Sequence, residues 1–227
     1  MKILALDSST EFLSLALWHD GAVTVRELLA GQRHAEHLLP LLDELLDETG
    51  CTLPMLDGIA FGAGPGSFTG LRIGCGIAQG LAFGAGLAVL GVGTLEALAE
   101  QAGAARVIAC LDARMNEVYH AAYERHQQGW RTVHAPGLYP PSQVPVVEGE
   151  GWCAIGSGWD NFGMALEAVY GRQVKEKIPG AFPLARHMAA LAAPRFARGE
   201  GRPPHEAAPL YVRNKVALTL REREHPR

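Results

Sequence analysis

Two stretches decide the fold: ILALDSSTEFLSLAL (3–17) and VIACLDARMNEVYHAAY (107–123). Each opens with a short apolar run of buried-strand type and ends that run on an aspartate, Asp7 or Asp112. Aligned on those aspartates, Ile3 falls on Ile108, Leu6 on Leu111 and Leu13 on Val118. In the first copy Leu13, Leu15 and Leu17 alternate with small residues, as in a half-buried strand. Asp20-Gly21 then marks a hairpin turn leading into a returning strand, 22–27. The opening is therefore an antiparallel meander. Strand, aspartate turn, strand, stated twice, predicts a duplicated two-lobed α/β fold. The boundary falls at 104/105: a first lobe over 1–104 and a smaller second lobe over 105–227, whose tail packs back on the first.

Between the copies, leucines at 38, 39, 41, 42, 45 and 46 recur at helical spacing, predicting a helix over 34–48 with Gly50 as its C-cap. Pro40 inside it argues for a kink or a later start. Strands follow at 58–61 and 87–92. Between them lie the loop 62–67 and a helix to about Gly84, with Ser67 as N-cap. Thr94 caps a further short helix to about Gln101. In the second half, 134–151, with four prolines and three glycines, reads as an irregular connection. Helices are expected over 160–170 and 184–197, and the charged end 221–227 frays.

Composition removes several functions. The 227 residues carry 20 Lys plus Arg against 24 Asp plus Glu, a net charge of −4, and 7% aromatics. A stand-alone nucleic-acid binder needs a basic excess. Cys51, Cys75, Cys110 and Cys153 form no C-x-x-C pair and read as buried thiols of a reducing compartment. Neither a signal peptide nor an uninterrupted apolar span is evident, so the expectation is a cytoplasmic protein with no membrane contact.

The chemistry-bearing candidates each have a plain alternative. GAGPGSFTGLR (62–72) offers glycines and a helix N-terminus, as phosphate loops do, yet lacks the Gly-Lys-Ser/Thr and G-x-G-x-x-G patterns. A tight strand-to-helix turn explains it equally. Gly70 and Gly74, and then Gly76, Gly80 and Gly84, stand four apart on one helix. Such a stripe admits a close backbone, either from this chain or from a partner helix. Asp7 and Asp112 could hold metal-bound water or act as a base in a cleft between lobes; turn chemistry is the alternative. His34 and His37, in the order His-Ala-Glu-His, read as a solvated face rather than a zinc frame. No G-x-S-x-G is present. Arg213, Lys215, Arg221 and Arg223 read as a solvated tail.

GAGPGSFTGLRIG (62–74), with ILALDSST (3–10), LDARMNEVY (111–119) and PLYVRNKVA (209–217), resembles the bacterial TsaB family, also called YeaZ, over essentially the whole chain. The departure is Met115, where a second arginine is common. The resemblance implies an actin/sugar-kinase/heat-shock-like (ASKHA) two-lobe fold with duplicated mixed sheets flanked by helices. It also implies a cofactor-free, non-catalytic subunit for threonylcarbamoyladenosine modification of tRNA. Its expected partners are a metal-bearing TsaD-type paralogue that transfers the group and a TsaE-type ATPase, with TsaC supplying the adenylate. The paralogue's H-x-x-x-H pair has no counterpart in Thr94–Gln101, which contains no histidine. On this reading Leu38, Leu41, Leu42 and Leu45 of one helix, with Leu71, Ile73, Gly74, Ile77 and Leu81 of the next, face the paralogue. Alone, the same face closes a two-fold homodimer. A charge at Leu45 or Ile77 is then expected to break pairing without unfolding. Asp7, Gly64, Gly66, Ser67 and Asp112 are placed at the cleft, close to any nucleotide it takes. Transfer RNA is met only through the complex. The competing functions are an ATP-dependent transferase, a glycoprotease-like peptidase of the same fold and a direct tRNA-binding module.

Overall fold

The computed structural model describes residues 1–127 and 129–213. Two five-stranded mixed sheets repeat one topology. In the first, β1 (Lys2–Asp7), β2 (Phe12–His19) and β3 (Ala22–Leu29) form the meander, and β4 (Gly58–Gly64) and β5 (Val89–Gly93) add in parallel on the other side of β1, giving the order β3-β2-β1-β4-β5. In the second, β6 (Arg106–Asp112), β7 (Val118–His126) and β8 (Gly129–Tyr139) form the meander, with β9 (Trp152–Ile155) and β10 (Val174–Ile178) in parallel beyond β6. The order β10-β9-β6-β7-β8 is the first sheet restated. Asp7 and Asp112 end the equivalent strands β1 and β6.

Strand alternation assigns the two faces of each sheet. Leu4 and Leu6 of β1 join Leu13, Leu15, Ile59 and Phe61 under the helices α1 (His34–Thr49) and α2 (Phe68–Ala85). Ile3 and Ala5 point the other way, onto Met188, Ala189 and Ala192 of α5 (Ala185–Ala197). In the second sheet Ile108 and Cys110 lie under α4 (Ser157–Tyr170), while Val107 and Ala109 meet Leu95 and Leu98 of α3 (Thr94–Ala102). The lobes thus exchange helices: α3 leaves the first sheet and packs on the second, and α5 leaves the second and packs on the first. A boundary drawn in sequence cannot separate such halves cleanly. Ser14 Oγ accepts from Ala185 N at 2.9 Å and Glu27 pairs with Arg186, both joining α5 to the first lobe.

Several local expectations need correction. The α1 helix begins at His34, as the leucine spacing predicts, and continues unbroken through Pro40, so the proline does not delay its start. Proline removes one bond to the Glu36 carbonyl, but Glu36 and Pro40 are both exposed, so the freed carbonyl faces solvent and the loss is small. Thr94 does not cap α3. Gly93 does, and Thr94 Oγ1 donates to Pro65 O at 2.5 Å instead. The irregular connection is shorter than expected because β8 continues to Tyr139, and α4 starts at Ser157. Gly50 and Ser67 cap their helices as expected, and all four cysteines are buried thiols. The frayed end assigned to 221–227 lies outside the described residues.

Candidate functional site

The helix α2 divides its glycines between two uses. Ser67 accepts from Gly70 N at 3.3 Å and starts the helix. The turn after β1 docks on that first part: Ser67 N donates to Ser9 O at 2.7 Å, and Ser8 Oγ donates to Gly70 O at 2.9 Å. A Cβ on Gly70 would sit 1.9 Å from Ser8 O, and one on Gly74 2.7 Å from Ser8 Oγ. These glycines serve close packing inside the chain. Gly70→Ala should therefore destabilise the protein by about 1–3 kcal/mol, since backbone has to move to admit the methyl group. Urea unfolding checks this; a loss under about 0.5 kcal/mol, the scale of a neutral surface change, would contradict the packing.

Gly76, Gly80 and Gly84 have open space around them. A Cβ added at any of the three meets nothing within 4 Å, and all three are exposed. At 100° per residue they lie beside the half-buried Ile73, Ile77 and Leu81 and the exposed Phe83. Ile73, Ile77 and Leu81 pack in part on the core, but the three glycines serve no packing in the isolated chain, where each only weakens the helix.

The structure narrows the nine residues assigned to this face. Leu38, Leu42, Leu45 and Leu71 are at most 2% exposed; the first three form the core between α1, α2 and the first sheet, Leu71 lies on the wall of the cavity between the lobes, and Gly74 is buried against Ser8. Leu41, Ile73, Ile77 and Leu81 remain partly exposed. A charge at Leu45 would enter the core, so that substitution is expected to cost the fold and cannot probe an interface.

The second feature is a cavity of about 620 Å³ between the lobes. Gly66, Ser67 and Asp112 line it; Asp7 and Gly64 do not. Asp112 accepts from Arg114 N (2.7 Å) and from Asn161 Nδ2 (2.9 Å), while its own N–H donates to Ser157 Oγ (3.2 Å). Its carboxylate is therefore committed to the turn and to α4. Asp7 is fully buried below the loop. Oδ2 accepts from Ser9 N (3.2 Å) and Ser9 Oγ (2.8 Å), Oδ1 has no partner among the described residues, and a Cβ on Gly62 would lie 1.9 Å from it. Burial pushes its pKa up to about 7, against which the Ser9 bonds pull only weakly.

The histidines also differ from expectation. His34 is buried, with its pKa lowered by desolvation, rather than solvated. His120, unmarked by any sequence signal, is buried at 2.6 Å from Tyr170 Oη, and burial pushes its pKa down to about 3. Among the described residues no group of three or more His, Cys, Asp or Glu is placed to hold a metal ion, and no helix is long and apolar enough to cross a membrane. Arg213, expected in a solvated tail, is largely buried and bonded to the second lobe; Lys215, Arg221 and Arg223 lie outside the described residues.

Comparison with known proteins gives a consistent result. Residues 26–147 match the family model described as TsaD: tRNA N6-adenosine threonylcarbamoyltransferase. The chain is 39% identical to the tRNA threonylcarbamoyladenosine biosynthesis protein TsaB of Escherichia coli K12, over 96% of both chains. It is 37% identical to that of Haemophilus influenzae, over 95% of both. Among solved structures, YeaZ from Pseudomonas aeruginosa superposes with a TM-score of 0.85 at 39% identity, over 92% of this chain and 99% of that one.

Proposed function

The chain belongs to the TsaB (YeaZ) family, whose curated members are named for tRNA threonylcarbamoyladenosine biosynthesis, and from that premise we propose that it acts there as a non-catalytic subunit paired with a TsaD-type paralogue. The observation that carries the pairing is the open stripe of Gly76, Gly80 and Gly84 on α2, edged by Ile73, Ile77 and Leu81. A helix backbone can approach this stripe closely, and the match of residues 26–147 to the TsaD family model makes an equivalent helix on the paralogue a fitting counterpart. In the paralogue's absence a second copy of the chain offers the same surface and closes a two-fold homodimer.

A supporting rather than chemical role agrees with the side chains of the cleft. Asp112 is engaged by Arg114 and Asn161, and Asp7 is sealed off from the cavity. The transfer step then belongs to the metal-bearing paralogue, with a TsaE-type ATPase joining the pair. The −4 charge fits a subunit that meets tRNA only through the complex, in the cytoplasm. The test is to mix the purified chain with the TsaD-type paralogue and follow gel filtration. Co-elution with loss of the homodimer peak is expected. Separate elution at tens of micromolar would overturn the pairing.

A further inference from the structure

The stretch Leu210–Arg213 crosses from one lobe to the other along the wall of the cleft. On the first lobe, Leu210 N donates to Ala63 O at 2.7 Å. The Tyr211 ring lies 5.4 Å from Phe68, and its hydroxyl accepts from Arg72 Nε at 3.0 Å. The Arg72 guanidinium covers the Phe68 ring at 3.8 Å. On the second lobe, Val212 packs on the core beneath β6 and β7. Arg213 Nη2 donates to Ala113 O at 3.0 Å and pairs with Glu117 at 2.7 Å, with its side chain only 13% exposed.

The turn that receives Arg213 is unusual. Arg114, Met115 and Asn116 are three consecutive non-glycine residues with φ of 62°, 57° and 59°. Left-handed residues of this kind normally occur singly, because Cβ crowds the following carbonyl. A run of three persists only where its surroundings over-determine it. Here Ala113 N donates to Glu117 O (2.9 Å) and Glu117 N to Arg114 O (3.1 Å), closing the turn from within. Arg213 holds it from outside through the Ala113 carbonyl and the Glu117 carboxylate.

We propose that Leu210–Arg213 is a latch that fixes the angle between the lobes at the cleft, with the left-handed turn 114–116 as its catch. The buried packing of α3 and α5 joins the lobes elsewhere; the strap links them at the cavity itself. Release of the strap frees the turn, and the cleft opens. This device is independent of the partner assignment, so loss of either one leaves the other standing.

Hydrogen exchange on the full chain tests it. Tyr211→Ala removes the side-chain anchor on Phe68 and Arg72 of the first lobe, leaving the Leu210 N–Ala63 O bond, and touches nothing on the second lobe. The latch requires the amides of Ala113 and Glu117, on the other lobe, to exchange at least about tenfold faster, while amides of β1 and β6 keep their protection. Tyr211→Phe, which keeps the ring on Phe68, should restore most of the protection. A purely local role for Tyr211 leaves Ala113 and Glu117 unchanged, and that result overturns the proposal. If Tyr211→Ala does not fold, the unsubstituted chain decides the matter. The Leu210 and Glu117 amides should open in one step with the same denaturant dependence, and independent opening would overturn the latch.

Discussion

Gly80→Leu should leave the isolated chain folded and weaken its pairing with the TsaD-type paralogue at least about a hundredfold, the scale of losing an interface hot spot. The reason is local. A Cβ at Gly80 meets nothing within 4 Å in the monomer, so a longer side chain starts out into open space. Replacing an exposed interior helix glycine removes a penalty of about 0.5–1 kcal/mol. The same side chain stands where a partner backbone has to come close. Gly76→Ala with Gly84→Ala should act in the same two directions, more weakly. Opposite signs in two measurements, stability up in urea unfolding at concentrations dilute enough to keep the chain monomeric and affinity down in titration calorimetry, are hard to obtain from general damage. Unchanged affinity in Gly80→Leu would remove α2 from the interface, however well the chain pairs.

Asp7→Asn carries the second large effect. The folded chain favours the protonated carboxyl, because Oδ1 is buried without a partner and desolvation raises the pKa from its ordinary 3.8 to about 7. The unfolded chain releases its proton near 3.8. Between those two values the folded state binds more protons than the unfolded one, so this group's contribution falls as pH rises from about 4 to about 7 and is flat above. At 1.36 kcal/mol per pH unit the full span is about 4 kcal/mol. Asparagine keeps an acceptor for Ser9 and cannot ionise. The variant should therefore match the parent near pH 4 and exceed it by about 2–4 kcal/mol at pH 8. The comparison has to be variant against parent. Burial lowers the pKa of His120, and that group's contribution is lost as pH falls from 6.5 towards 3, the opposite slope. A variant less stable than the parent at pH 8 would mean that Asp7 is ionised and partnered in the folded chain.

Much of this fold was legible because buried strands announce themselves as short apolar runs and end on polar turns. Ile3–Asp7 and Val107–Asp112 did both, and the structure makes them equivalent strands of two identical sheet orders. What escaped depended on which surface covers which. The leucines of α1 showed an apolar face but not its depth. Leu38, Leu42 and Leu45 are consumed by the first sheet and α2, leaving only the edge of that face partly open. The glycine pattern of α2 was visible, yet its division was not. Gly70 and Gly74 are spoken for by Ser8, more than sixty residues away in sequence, and nothing in the spacing sets them apart from Gly76 and Gly80. The exchange of α3 and α5 between lobes, the sealing of Asp7 beneath Gly62, and the return of Arg213 to the turn at 114–116 are all long-range events with no local signal.

The most direct test of a required but non-catalytic subunit is a reconstitution. Unmodified tRNA, threonine, bicarbonate and ATP are combined with the adenylate-forming enzyme, the TsaD-type paralogue and the ATPase, with and without this chain, and modified adenosine is quantified. The account predicts product only when the chain and the paralogue are both present, and none from the chain without the paralogue. Equal product in the chain's absence, or product from the chain when the paralogue is omitted, would contradict it.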